Sequence, residues 1–297
     1  MKEQIAELTQ RLPGSVPLDD AGLHLIDLAL EEDRGEGDWT TRWTVPARTR
    51  VHGTIVAKAD GVIAGLGVMA AVFLRLDPRV DYDFMKSDGE RVSAGDVVCT
   101  LRGPGRAVLT GERVALNFLQ RLSGIATATR LYVDALEGTK TRILDTRKTT
   151  PGWRALEKAA VRSGGGDNHR AGLYDMVLIK DNHKAIAGGL REALELVQDQ
   201  NTKRLPVTIE VHSLAELDAA LEIGATRLLL DNFDLPTLQK AVRRAKKAKP
   251  RPTLEASGNM TLDRVRAVAE TGVDFISVGA LTHSSPALDL SLQIQKP

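Results

Sequence analysis

Beyond residue 140 the chain alternates short apolar runs of strand length with longer segments whose apolar positions recur at helical spacing. The strand-length runs fall at 142–145, 176–180, 207–211, 227–230, 253–256 and 275–278. Helical patterns lie between them; Ser213 followed three positions later by Glu216 spells a capping box, and Thr261 stands where an N-cap is expected. Six βα units in series imply a parallel sheet. A closed barrel and an open doubly wound sheet both satisfy that periodicity, but the strand ends discriminate. Arg147 and Lys148, Lys180, Glu210, Asp231, Glu255 with Ser257, and Gly279 stand at or just past successive strand ends. A barrel gathers those ends round one mouth, whereas an open sheet spreads them along an edge, so the expected architecture is an α/β barrel.

Up to about residue 110 the apolar segments are irregularly spaced, as in a small α+β domain. The most apolar stretch, 61–74, carries three glycines and falls short of the ~20 residues that span a bilayer, so it is expected to be buried strand and helix. Within it, Gly65-Leu-Gly-Val-Met-Ala70 matches the dinucleotide fingerprint G-x-G-x-x-A, with Asp81 and Asp83 at the distance where a ribose-binding acid would follow. Small residues that let a helix pack closely on a sheet explain the same letters. Residues 87–98 resemble the turn-rich strands of lipoyl and biotinyl modules, but the tip reads Gly103-Pro-Gly105 with no lysine to modify. At the start of the chain, Ile5, Leu8 and Leu12 have the spacing of an amphipathic helix and lack the features of a signal peptide.

Composition narrows the function classes. The chain has 297 residues, 42% of them apolar, and a mean hydropathy of −0.16, which suits a well-cored globular protein. A formal charge of +1 and only 4% aromatic residues argue against a nucleic-acid surface. The single cysteine, Cys99, rules out an internal disulfide and a cysteine-cluster zinc site, and points to a reducing, cytoplasmic setting. Neither H-x-H nor H-x-x-x-H spacing occurs among the six histidines, so a transition-metal site is not expected; nor is a serine hydrolase, for want of a G-x-S-x-G elbow.

Against this balanced background, residues 142–184 hold nine Lys/Arg and five Asp/Glu, plus His169 and His183. Positive charge concentrated where strands break into loops suits a small, highly anionic ligand. Gly164-Gly-Gly166, with His169-Arg170 just after it, offers backbone amides to an anion or, alternatively, caps the preceding helix. Lys180 closes an apolar strand and serves either as a mouth cation or as a Schiff-base lysine of aldolase type. Glu210 and Asp231, on neighbouring strands, are placed to hold Mg²⁺ or to stabilise a developing cation. The small residues at 256–259 and 278–280 follow late strands, where phosphate-binding barrels form their phosphate cup.

Six of these stretches together resemble one family. Asp145-Thr-Arg-Lys-Thr-Thr-Pro-Gly152, Gly164-Gly-Gly-Asp-Asn-His-Arg170, Leu178-Ile-Lys-Asp-Asn-His183, Ile209-Glu-Val211, Leu230-Asp-Asn232 and Glu255-Ala-Ser-Gly258 are similar to the quinolinate phosphoribosyltransferases, the carboxylating nicotinate-nucleotide pyrophosphorylases. The likeness extends to Glu32-Asp-Arg-Gly-Glu-Gly-Asp-Trp-Thr-Thr41 and Gly111-Glu-Arg-Val-Ala-Leu-Asn117. It implies an N-terminal α/β sandwich of hammerhead type over 1–117, an open seven-stranded α/β barrel over 118–281, and a C-terminal segment, 282–297, returning to the first domain. The implied reaction transfers phosphoribose from phosphoribosyl pyrophosphate to quinolinate with decarboxylation, giving nicotinate mononucleotide, pyrophosphate and carbon dioxide in de novo NAD synthesis. By the same resemblance Thr146, Arg147, Lys148, His169, Arg170 and Lys180 line the quinolinate and pyrophosphate pocket. Glu210 and Asp231 face the ribose, and Ser257, Gly258, Asn259, Val278, Gly279 and Ala280 cradle the 5′-phosphate. Lys148, Lys180, Glu210 and Asp231 are the expected catalytic set, Mg²⁺ the expected cofactor, and a homo-oligomer is expected, with Arg113 reaching the pocket of a neighbouring chain. Asn259 departs from the pattern, since many relatives carry a second glycine there. Two alternatives stay open: a barrel aldolase using Lys180, and a molybdenum-transport-associated relative of the same fold.

Overall fold

A computed structural model describes residues 12, 16 and 18–295, so all but Leu12 of the N-terminal helix expected from Ile5, Leu8 and Leu12 lies outside the described residues. The chain forms two compact units, one of residues 1–130, 149–165 and 281–297, the other of residues 131–148 and 166–280.

In the first unit, α1 (Asp20–Arg34) and α2 (Trp39–Thr44) precede β1 (Arg50–Ala57), β2 (Gly61–Val62), α3 (Leu66–Leu76), β3 (Asp81–Phe84), β4 (Arg91–Val92), β5 (Val97–Pro104) and the long α4 (Gly105–Ala135). Both early helices begin on an aspartate that caps them: Asp19 accepts from the Gly22 N–H and Asp38 from the Thr41 N–H. The fingerprint-like glycines belong to α3, whose residues 66–74 are all buried. No nucleotide phosphate is needed at its N-terminus, because Asp88 accepts the amides of Gly65 at 3.0 Å and Leu66 at 3.1 Å, and of Val16 at 3.1 Å. Gly65 has φ +99°, and a Cβ there would lie 2.7 Å from Leu122 Cδ1, so glycine is required by backbone conformation and packing together. Of the strands on either side, β2 pairs antiparallel with β4 and β3 antiparallel with β5 in a different sheet, which removes the parallel βαβ context that a dinucleotide site requires.

The second unit carries β6 (Arg142–Leu144) and, after α5 (Arg154–Ser163) of the first unit, β7 (Val177–Ile179), α6 (Asp181–Ala187), α7 (Leu190–Gln200), β8 (Val207–Val211), α8 (Leu214–Glu222), β9 (Arg227–Asp231), α9 (Leu235–Ala245), β10 (Thr253–Ser257), α10 (Leu262–Glu270) and β11 (Phe275–Ser277). All six strand-length runs are strands, and they form one parallel sheet in the order β6-β11-β10-β9-β8-β7. The two end strands, β6 and β7, are not paired with each other, and the free edge of β6 instead takes a single parallel bridge between Leu144 and Asp167. The α/β barrel is therefore open, with six strands and one further bridge. The residue before α8 behaves as the sequence suggests, since Ser213 Oγ accepts the Glu216 N–H; the Glu216 carboxylate, however, accepts from His212. Thr261 stands at the N-cap of α10 without a side-chain cap bond.

The chain closes in the first unit with α11 (Ala280–His283), whose first residue still counts with the second, and β12 (Leu290–Gln295), which pairs antiparallel with β1 on the side opposite β5. This builds a four-stranded sheet in the order β12-β1-β5-β3. Trp153, just before α5, stacks on Phe118 of α4 with ring centroids 4.6 Å apart.

Candidate active site

The carboxyl ends of parallel strands collect the charged groups of the second unit. Lys180 follows β7, Glu210 lies near the end of β8 with His212 just beyond it, Asp231 ends β9, and Ser257 ends β10. Between them most strand positions are apolar, with Ile179, Ile209, Val211, Leu228, Leu230, Leu254 and Ala256 all buried, and Glu255 within β10 is a buried charged exception.

Around Glu210 the contacts form a chain. Lys180 Nζ lies 3.8 Å from Glu210 Oε2, while Glu210 Oε1 is 3.4 Å from His212 Nε2. That nitrogen is also 2.8 Å from Asp181 Oδ2, and His212 Nδ1 is 3.6 Å from Asp231 Oδ2. Asp181 Oδ1 is tied to Lys184, whose Nζ also reaches Glu216 and the Glu210 carbonyl. The Lys184 ammonium holds the Asp181 carboxyl below its ordinary range. One donor atom from each of Asp181, Glu210 and His212 lies within 4.8 Å of the other two, a set able to hold a divalent ion. Lys180 itself is half exposed and faces a carboxylate, an environment for a charged binding group and not for the desolvated amine of a Schiff-base enzyme.

Across the sheet, the loop after β6 carries exposed Arg147 and Lys148, with Thr146 Oγ1 accepting the Lys148 N–H at 3.1 Å. Arg170 is drawn in more deeply, with its Nη1 donating to the Met176 carbonyl at 3.0 Å. Burial, and after it the like charge of Arg147, pushes the Arg170 pKa down, with Asp175 opposing. His169, between the two loops, is enclosed: its side chain is 9% exposed and its Nε2 lies 3.3 Å from Glu255 Oε2. Asp145, fully buried, accepts the His169 N–H at 2.8 Å and the Asn168 amide at 2.6 Å.

The late-strand loops are shaped by backbone demands. Gly258 has φ +96°, and a Cβ there would meet Asn232 Oδ1 at 2.1 Å, so no larger residue fits. Asn259 has φ +47°, a conformation that glycine and asparagine tolerate best, which explains how asparagine replaces the second glycine of the pattern. Arg264 gathers this turn, bonding the carbonyls of Gly258, Asn259 and Phe233. Val278 spends its N–H on the Leu144 carbonyl at 2.9 Å, while Gly279 and Ala280 lie at the start of α11. The glycines at 164 and 165 act as the helix cap: their amides donate to the Ala160 and Arg162 carbonyls at the end of α5.

Arg113 stands exposed on α4 in the first unit. Asp181, His212, Asn232, Arg264 and Asp145 were not singled out as site residues by strand-end reasoning. His212 had a signal, since two residues past Glu210 places it on the same face of the strand. Arg264 had none, because it acts through backbone carbonyls, one of them at Phe233 on a different loop.

An open parallel α/β barrel whose strand ends join arginines, lysines and carboxylates to small-residue loops defines a class: enzymes that bind phosphorylated, anionic substrates. Family models sharpen this. The chain matches the N-terminal domain of quinolinate phosphoribosyl transferase over residues 38–123 and its C-terminal domain over residues 125–293. The chain belongs to the quinolinate phosphoribosyl transferase family. It is 46% identical to the carboxylating nicotinate-nucleotide pyrophosphorylase of Mycobacterium leprae, over 93% of this chain and 98% of that one. With a probable carboxylating nicotinate-nucleotide pyrophosphorylase of Synechocystis it shares 45% identity, over 89% and 90% of the two chains. The solved nicotinate-nucleotide pyrophosphorylase of Francisella tularensis superposes with a TM-score of 0.87 at 38% identity, covering 94% of this chain and 98% of that one.

Proposed function

We infer that this chain transfers phosphoribose from phosphoribosyl pyrophosphate to quinolinate and decarboxylates the adduct, releasing nicotinate mononucleotide, pyrophosphate and carbon dioxide in de novo NAD synthesis. The observation that carries this reading is the gathering of cations on the loops at the strand ends, with Arg147 and Lys148 exposed after β6, Lys180 after β7, and a half-buried Arg170 whose pKa is pushed down first by burial and then by the like charge of Arg147. Cations held together against their repulsion are stabilised by an anion of matching charge, and quinolinate is a dianion. Unit charges ~4 Å apart interact by on the order of 4 kcal/mol at an effective dielectric of 20, enough to separate a dicarboxylate from a monocarboxylate. Neither the aldolase nor the molybdenum-associated alternative accounts for this gathering of cations together with the family match.

The chemistry asks for orientation and charge stabilisation. The ring nitrogen of quinolinate attacks C1′ of the ribose as pyrophosphate departs, and Glu210 and Asp231, facing the sugar, stabilise its oxocarbenium character. Arg147, Lys148, Arg170 and Lys180, with Thr146 and His169 behind them, bind the two carboxylates and the leaving pyrophosphate. Once ribosylated, the nitrogen is cationic; the adjacent carboxylate leaves as carbon dioxide, its bonding electron pair stays on the ring carbon beside that charge, and a proton from water replaces it. Ser257, Gly258 and Asn259 hold the 5′-phosphate together with Gly279 and Ala280, while Val278, its amide already engaged, contributes carbon surface.

The carboxylates of Glu210 and Asp231 suit Mg²⁺, a hard cation that takes oxygen ligands, and would hold it, with the Asp181 carboxylate close to Glu210 as a further oxygen donor. When bound, Mg²⁺ would offset the negative charge of the phosphoribosyl donor and its pyrophosphate. Arg113 completes the pocket of a second copy in a two-fold homo-oligomer, so that each site is shared between subunits. No helix among the described residues is long and apolar enough to cross a membrane, and we place the enzyme in the cytoplasm. The test is product stoichiometry: purified protein with quinolinate, phosphoribosyl pyrophosphate and Mg²⁺ should yield nicotinate mononucleotide, pyrophosphate and carbon dioxide in equal amounts. Carbonyl-dependent trapping of Lys180 by borohydride, with no nucleotide formed, would favour the aldolase.

A further inference from the structure

Glu255 has no part in the mechanism above, yet it sits in the middle of β10 at 3% exposure, in register with Leu229 of β9 and Phe275 of β11. Its Oε2 meets His169, while Oε1 is buried with no hydrogen-bond partner. A buried carboxyl group with an oxygen left unpaired costs stability. A group that is expensive to the fold and lies one contact from the substrate pocket is a candidate for work at that pocket.

We propose that Glu255 is a positioning residue for the acceptor site, acting through His169 to fix Arg170. His169 Nδ1 accepts the Arg170 backbone N–H at 2.7 Å, which leaves Nε2, the nitrogen facing Glu255, as the one that carries a proton. Asp145 grips the same segment from the other side, accepting the His169 N–H and the Asn168 amide. Two buried carboxyl groups thus clamp the His169–Arg170 dipeptide, one through its backbone and one through its ring. The clamp has a load to bear, because Arg147 repels the Arg170 guanidinium. His169 serves the pocket as a strut between Glu255 and Arg170, its two ring nitrogens both engaged inside the protein. The inference rests on the reading of Arg147 and Arg170 as the dicarboxylate site.

The experiment compares wild type with Glu255→Leu and Glu255→Gln, measuring KM for both substrates, kcat, the melting temperature and the ¹⁵N resonances of His169. Glu255→Leu should raise KM for quinolinate by roughly tenfold or more while kcat and KM for phosphoribosyl pyrophosphate stay within about twofold. Its melting temperature should move by only a few degrees, because removing the unpaired Oε1 offsets part of the loss of the partner of His169. Glu255→Gln, whose amide oxygen still accepts the Nε2 proton, should restore most of the affinity for quinolinate. The wild-type spectrum should show His169 protonated on Nε2, and Glu255→Leu should lose that preference. The proposal is overturned if Glu255→Leu leaves KM for quinolinate unchanged, or if its stability and all kinetic constants fall together. It is equally overturned, whether or not the variants fold, by a wild-type His169 protonated on Nδ1. Wild-type protein that ignores quinolinate would sink the reaction reading instead, while the ¹⁵N spectrum would still report on the clamp.

Discussion

At the scale of single residues, function follows from charges that the fold holds in unfavourable company. Arg170 is half-buried beside Arg147 and contributes little to the core, so Arg170→Ala should lower kcat/KM for quinolinate by about a thousandfold while shifting the melting temperature by only a few degrees. Lys148→Ala, at an exposed loop position, should be as inactive and still closer to wild type in stability; steady-state kinetics and thermal melts on both variants check this. The placement of Lys180, Glu210 and Asp231 at or next to strand ends was legible in the sequence, because the apolar runs mark where each strand stops. His212 was missed by a search for histidine pairs because its neighbours are the carboxylates of Asp181, Glu210 and Asp231, two of them on other elements. The glycines at 164 and 165 mislead for a related reason: a loop rich in glycine offers amides to an anion only where the preceding helix has not already used them.

Among elements, the alternation of period 2 and period 3.6 sufficed for every strand of the second unit, since each βα unit is local in sequence. The single bridge at Asp167 left no trace, because one paired residue has no period. The dinucleotide-like glycines of α3 needed the structure for their meaning: the carboxylate that caps them, Asp88, lies over twenty residues downstream. Asp88→Ala would strand buried amides of Val16, Gly65 and Leu66, and should lower unfolding free energy by roughly 2–3 kcal/mol in urea titrations. A loss below about 0.5 kcal/mol would mean that water replaces the cap. Strand β5 gives a second test. Cys99, inside the β12-β1-β5-β3 sheet, is fully buried, and burial pushes its thiol up to about 12. Because the folded pKa is raised, the thiol stays protonated and unreactive through pH 8; a disulfide reagent should modify it only after denaturant is added.

For the whole molecule, the proposal that each active site is shared between two copies can be tested by complementation. Arg113→Ala and Lys148→Ala proteins, each inactive, should regain activity when unfolded and refolded together. Half the dimers of a random mixture are hybrids with one intact site in two, so recovery should approach roughly a quarter of wild type. No recovery, with hybrids confirmed by differential tagging, would confine Arg113 to its own chain or remove it from the site. Acceptor choice by the assembled enzyme is the most direct measurement of the dicarboxylate site. With saturating phosphoribosyl pyrophosphate and Mg²⁺, kcat/KM for quinolinate should exceed that for nicotinate by about a thousandfold or more, the free energy of one unit-charge contact at the Arg147–Arg170 pair. Comparable use of nicotinate would contradict it, because a monocarboxylate leaves one of those cations without the charge it is held there to meet.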